Sequence, residues 1–348
     1  MMISTKKIFC IISFLFFGQI NTAQETKELF RSDDILDLTI LMPVKKVIND
    51  TKERNKEAAK LSYTKDDGTV FEHQINVSVR GKTRTLRQIC NFPPLELNFN
   101  KSDTKNSVFK GQKKLKLVTH CQFDNSYEEY VQKEYIVYKM YQNVSPYSFR
   151  VRPCWITYVD SDKPKQQRSH FGFLIERIKD VAKRNDMKVF KDSIRNQSIL
   201  NKDNLDKLML FEYLIGNLDW SIPKEHNMKL IQGEKGSLPL AVPYDFDYSG
   251  IVDIPYAVPP GQSNIDDVKT RVFRGFCRAD GYKGTVEFYK SIREDLYSEI
   301  NDVSFLTDKT KNNMTRYINS FYKIMDDPKQ VNKKISRACR VNHKHAYE

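Results

Sequence analysis

The 348-residue chain lacks the features that would tie it to zinc, to nucleic acid or to a bilayer interior. Its 6 cysteines contain no CxxC pair, which removes the ligand spacing of a structural zinc site. Glycine and proline are sparse, at 13 each, and there is no internal repeat or low-complexity run, so solenoid and disordered scaffolds are excluded. Beyond residue 23 no stretch is apolar enough to cross a membrane, so no transmembrane segment is expected. The formal net charge of +13 is strongly basic, but the lysines and arginines are scattered and no nucleic-acid motif accompanies them. No nucleic-acid partner is expected; an acidic surface or substrate suits this charge better.

Residues 1–23 have the parts of a secretory signal peptide: Lys6 and Lys7, the apolar run Ile8–Phe17, and the small-residue end Asn21-Thr22-Ala23. Cys10 lies inside the apolar run rather than after it, which speaks against a lipoprotein anchor. The expected mature chain starts near Gln24, carries +11 (13 − 2, for Lys6 and Lys7) and is secreted or periplasmic. Cys90 precedes the apolar strand Leu95–Phe99, and Cys121 follows Lys114–Val118. If these strands are antiparallel neighbours the two cysteines approach, and an oxidising compartment would join them; a pair of buried thiols fits the spacing equally well.

Chemistry concentrates in residues 211–250. An apolar helix over 205–215 breaks at Gly216-Asn217, and a polar loop follows with Asp219, Glu225, His226 and Asn227. Strands over 228–231 and 238–242, joined by a glycine turn, then deliver Asp245 and Asp247. A carboxylate at a helix end, an amide at a strand start and a carboxylate at the next strand end form the set that phosphoryl transfer needs. One acid orients the attacking hydroxyl, while hard oxygens hold Mg²⁺ or Mn²⁺ on the phosphates of ATP.

The preceding half supplies further parts in the matching order. A strand over 70–79 ends in Arg80-Gly81-Lys82, where backbone N–H groups and positive charge can meet phosphate; a polar hairpin turn has the same appearance. Lys114–Val118 carries Lys116 on one face, and the helix from Tyr127 to Tyr141 places Glu134 within its apolar stripe. Unless it reaches solvent at the edge of the stripe, a carboxylate facing a core needs a partner, and Lys116 is the expected one, with Lys114 and Glu129 as second choices.

The loop LDWSIPKEHNMKL followed by PYDFDYS resembles the catalytic and metal-binding loops of the CotH-type (spore-coat protein H family) secreted atypical kinases, more distantly those of HipA-like kinases. The resemblance implies Asp219 as the catalytic-loop carboxylate, with Asn227 and Asp245 as metal ligands and Asp247 as an outer or second-metal ligand. Lys116 would contact phosphate and Glu134 would fix Lys116. Asp219 and Asn227 stand eight positions apart (227 − 219), wider than the ordinary kinase loop, and the Asp-Phe-Asp element lacks its glycine.

The expected fold is therefore α+β and two-lobed, protein-kinase-like. An N-lobe over 24–178 holds an antiparallel sheet plus a helix, and a mostly helical C-lobe covers 179–348. A charged helix is expected over 45–61, a polar loop over 160–170 between strands at 149–159 and 171–178, and a loop over 177–204. Helices are expected from 268, over 285–301, over 307–325 and over 329–340; Arg271 and Arg274 could meet a phosphate or an acidic substrate, though solvated helix charges are the commoner explanation of such a pair. The expected activity is transfer of the ATP γ-phosphoryl group to a hydroxyl of a secreted or envelope protein. The alternatives are a non-catalytic kinase-like scaffold, an AMP transferase, and a phosphoesterase using Asp219, His226 and Asp245.

Overall fold

Alternation of apolar and polar residues builds the first half of the chain. In β1 (Leu36–Met42), Leu36, Leu38, Ile40 and Met42 are buried and the residues between them reach solvent. The same period runs through β2 (Glu57–Thr64), β3 (Val70–Val79), β4 (Leu95–Phe99) and β5 (Lys114–Val118). With β6 (Val151–Asp160) and β7 (Lys163–Ile175) these strands close into a barrel in the order β1-β2-β3-β4-β5-β7-β6. The structure, a computed structural model, describes residues 26–340 except 66, 101–102, 193–196, 260 and 262–264. The expected signal peptide lies outside the described residues.

The sheet is mixed, not antiparallel throughout. β1 lies parallel to β6, from Leu36 opposite Cys154 to Met42 opposite Asp160, and this pairing closes the barrel. Residues 45–61, expected as one helix, divide into α1 (Val44–Asn49) and β2, where Ala59, Leu61 and Tyr63 alternate inward. The expected loop over 160–170 is largely strand: β6 and β7 continue as a ribbon, with Thr157 opposite Ser169. Residues 163–169 are exposed on both faces, so hydrophobic alternation is absent there. Gly172 is required where β7 crosses β5, because a Cβ would lie 2.6 Å from the Val118 carbonyl oxygen.

Helix α2 (Glu128–Val144) sets Tyr138 edge-on to Phe173 of β7 at 5.5 Å. The region after β7, expected as loop, holds α3 (Ile178–Arg184) and β8 (Lys188–Val189). Next come α4 (Lys202–Ile215), β9 (Met228–Gln232) and β10 (Leu240–Pro243), with the sheet ordered β10-β9-β8. Tyr141 meets Phe211 of α4 at 4.8 Å, so α2 joins the barrel to the second half of the chain. The chain is α+β, with one apolar cluster inside the barrel and a second that takes residues from both sides of position 178.

The tail is helical: α5 (Lys283–Ser291), α6 (Arg293–Asn301), α7 (Asp308–Met325) and α8 (Pro328–Val331), with a π-helical turn at Asn332–Ser336. Thr307 caps α7 by accepting from the Thr310 N–H. The helix expected from 268 does not form, since Arg271 and Arg274 turn inward to satisfy backbone carbonyls. Cys90–Cys121 and Cys277–Cys339 are disulfides, and Cys154 is a buried thiol. β4 and β5 are antiparallel neighbours as the first pair requires, with Glu96 opposite Lys116. Closing loops of 31 and 62 residues, each bond contributes about 4 kcal/mol by restricting the unfolded chain.

Glu212 of α4 gives stability a pH dependence. It is 2% exposed and neither carboxylate oxygen has a hydrogen-bond partner. Burial pushes it from 4.5 up to about 8, with nearby Asn217 and Arg274 offsetting this only in part. The folded state therefore holds a proton that the unfolded chain releases, so stability falls as pH rises from about 5 to 8. Glu212→Gln should flatten that fall by a few kcal/mol in denaturant titrations across the window. A slope equal to that of the parent would show that Glu212 is not the titrating group.

Candidate active site

Asp219 is positioned by backbone contacts on both sides. Gly216 ends α4 in the left-handed conformation (φ 67°), which turns the chain sharply into the loop. The Asn217 carboxamide oxygen accepts from the Asp219 N–H at 2.9 Å, and Arg274 donates to the carbonyls of Leu218 and Trp220 at 2.8 and 3.2 Å. Arg271 donates to Leu214 and Tyr317 carbonyls. The arginine pair, read from the sequence as solvated helix charges or anion ligands, instead ties down the helix end and the loop.

The eight-position gap between Asp219 and Asn227 has a local cause. Ser221 and His226 exchange backbone hydrogen bonds of 3.0 and 2.8 Å, so 221–226 doubles back on itself. The turn uses left-handed backbone at Glu225 (φ 48°) and Asn227 (φ 52°), uncommon away from glycine. It returns the chain to Asp219: Asn227 Nδ2 donates to the Asp219 carbonyl at 2.7 Å and to Oδ2 at 3.0 Å. His226 Nε2 lies 2.8 Å from Asp219 Oδ1. With its nitrogen so used, Asn227 keeps its amide oxygen for another partner.

Asp245 joins this group through the β9–β10 ladder. Pro243 pairs with Met228, and the Tyr244 N–H donates to the Asn227 carbonyl at 3.0 Å. Phe246 is fully buried, 4.8 Å from Tyr138 and 5.8 Å from Phe211, and anchors the acids on either side of it. The Asp245 N–H donates to the Tyr138 hydroxyl at 2.8 Å, and Asp245 is itself left-handed (φ 65°). Burial first, then Asp247, push the Asp245 carboxyl up from 3.8.

Glu134, Asp245 and Asp247 offer oxygens that all lie within 4.8 Å of one another, a set that can hold a metal ion. Carboxylates are the hard donors that Mg²⁺ and Mn²⁺ prefer, and buried Glu134 Oε1 has no partner, so the residues fit such an ion. Part of the set is already engaged. Arg84 Nη2 donates to Glu134 Oε2 at 2.6 Å, and Arg84 Nε donates to Asp247 Oδ2 at 3.1 Å. The Tyr256 hydroxyl donates to the same Asp247 oxygen at 2.7 Å. Burial pushes Glu134 up to about 8, and Arg84 offsets this only in part.

The expected Lys116–Glu134 pair is therefore not formed: Arg84, from the turn after β3, takes the lysine's place. Lys116 stands instead 4.8 Å above the Tyr244 ring, with Lys229 on that ring at 5.8 Å. Burial, then the Arg80 charge, push Lys116 down to about 8, while Asp245 acts the other way. Among the described residues no carboxylate forms an ion pair with Arg80, Lys116 or Lys229. Gly81 has φ 99° and open space where a Cβ would stand, and its carbonyl accepts from Arg54 at 2.8 Å. Lys82 is exposed, and among the described residues its ammonium forms no ion pair with these acids.

The Asp219–Asn227 pair is thus tied to the residue before Asp245 by the Asn227–Tyr244 backbone bond, Arg80 and Lys116 act on Asp245, and Asp247 and Glu134 lie beside it. Sequence reasoning missed Lys229, Arg84 and Tyr256. Lys229 was findable, because strand alternation puts it on the face of β9 opposite the buried Met228 and Leu230. A cavity of about 250 Å³ adjoins Lys229 and Glu225, with Phe190, Ile222 and Met228 as apolar walls. Compared with known proteins, the chain matches no family model and no curated sequence.

Proposed function

We propose that this chain is an atypical kinase of the CotH-like type, exported from the cell, with a two-lobed kinase-like arrangement hinged near 178. The observation that carries the reading is that Lys116 and Arg80 act on Asp245, with Lys229 beside Lys116, and that among the described residues none of the three has a carboxylate ion-pair partner. Three cations so placed, next to a cluster of carboxylates, suit a polyphosphate bridged by a divalent ion.

In this reading the cations bind the phosphates, and the cavity beside Lys229 takes the nucleobase against its apolar walls. Asn227, Asp245 and the buried acids hold Mg²⁺ or Mn²⁺, which supplies charge neutralisation on the phosphates. Asp219 orients the acceptor hydroxyl of a secreted or envelope protein and takes its proton as the bond forms. His226 holds one Asp219 oxygen and Asn227 the other, fixing the carboxylate's direction.

One observation favours a second reading, a kinase-like binding protein without activity: Arg84 already supplies positive charge to Glu134 and Asp247. Incubation of the purified chain and candidate acceptors with ATP labelled separately at the γ and α phosphates decides between them. The kinase reading expects γ label in protein, dependent on Mg²⁺ or Mn²⁺ and lost in Lys116→Met. Transfer of α label indicates an AMP transferase, and transfer of neither label supports the binding protein.

A further inference from the structure

The barrel carries a second cavity that shares no residue with the site above. It measures about 390 Å³, within the range of small-molecule pockets. Its floor is aromatic: Phe92 lies 4.5 Å from the His120 ring and 4.6 Å from Tyr158. Val44 and Ile48 of α1 form one wall, and Phe123, 41% exposed, stands at the mouth with the Arg168 guanidinium 4.7 Å from its ring. The Cys90–Cys121 disulfide fixes this wall, since each cysteine stands within two residues of a floor ring.

Two observations point to a ligand. His120 is 1% exposed, and neither ring nitrogen has a hydrogen-bond partner; the Tyr158 hydroxyl is likewise buried without one. Burial, with the charges of His170 and Arg168, pushes His120 down to about 2, so the ring is neutral and offers one donor and one acceptor. At the rim, Lys45, Lys163 and Arg168 face Asp160 and Asp162, an excess of one positive charge (3 − 2). No ion pair ties up these cations among the described residues, and one Asp160 oxygen already accepts the Asp162 N–H.

We propose that this cavity is a binding pocket for a flat aromatic carboxylate, its ring on Phe92, Tyr158 and Phe123 and its charge on the Arg168 side of the rim. Rings stack and meet edge-on with rings, and a lone carboxylate answers the excess cation. Calorimetric titration of the full chain with 2-naphthoate tests it. Saturable one-to-one binding is expected at or below about 1 mM, the strength ordinary for a ligand of that size. Phe123→Ser and Arg168→Gln, both at exposed positions, should each weaken it by roughly tenfold with the melting midpoint unchanged. 2-Naphthylmethylamine, with the opposite charge, should bind at least roughly tenfold more weakly. Absence of saturation up to about 10 mM overturns the proposal. So does undiminished affinity in either variant, or equal affinity for the amine.

Discussion

Asp245→Asn is expected to abolish the stabilisation of this protein by magnesium and ATP while leaving the apo fold intact. Asparagine is the substitution of choice because position 245 has φ 65°, which Asn tolerates and Ala does not. A ligand at a hundred times its Kd stabilises the parent by about 2.7 kcal/mol, an easily measured rise in melting temperature. The variant should show none of it. Phosphoryl transfer should fall by roughly 10²- to 10³-fold or more, the scale seen when one group stabilising transition-state charge is deleted. The apo protein should melt at or slightly above the parent, because Asp245 carries a destabilising buried charge that Asn removes. A full nucleotide-induced shift in the variant would sink the assignment of Asp245 to the metal.

Arg84→Met is expected to have the largest effect on stability. Burial works against the Arg84 charge, but Asp247 and Glu134 outweigh it and hold the guanidinium protonated. Removing it takes away the guanidinium that Glu134 and Asp247 share and leaves Asp247 the Tyr256 hydroxyl, at a cost of about 3–5 kcal/mol. The melting temperature should drop by roughly 6–10 °C. Adding Glu134→Gln should recover part of that drop by removing one acid from the uncompensated pair. Magnesium alone should stabilise Arg84→Met more than the parent, since the metal would then answer charge that the guanidinium had answered. A variant melting with the parent would show that Arg84 does not secure these acids.

What the sequence revealed here followed the range of each signal. The stripe of α2 exposed Glu134 as a buried acid needing a cation, since helical period is local. It did not reveal which cation, because Arg84 lies 50 residues earlier on a single 3-10 turn, Thr83–Thr85, too short for a period to fix direction. Cys90 and Cys121 were within reach through the pairing of β4 with β5. Cys277 and Cys339 were not, as no ladder of regular strands links their segments. Residues 163–169 hid as a loop because a ribbon wet on both sides has no apolar alternation to read. Neither reading of Arg271 and Arg274, solvated charges or anion ligands, foresaw their turn onto carbonyls, because a carbonyl acceptor leaves no mark in composition.

The parallel pairing of β1 with β6 sets the order of assembly. Leu36 meets Cys154, a separation of 118 residues (154 − 36), whereas β2 meets β3 across a short turn. The earliest strand of the barrel to be synthesised must therefore wait for one of the latest, its backbone edge unpaired in the meantime. Contacts that distant slow folding and leave a strand open to foreign partners. A chain built this way gains from remaining unfolded until residue 160 or beyond has emerged, the condition that passage through a narrow export channel would impose.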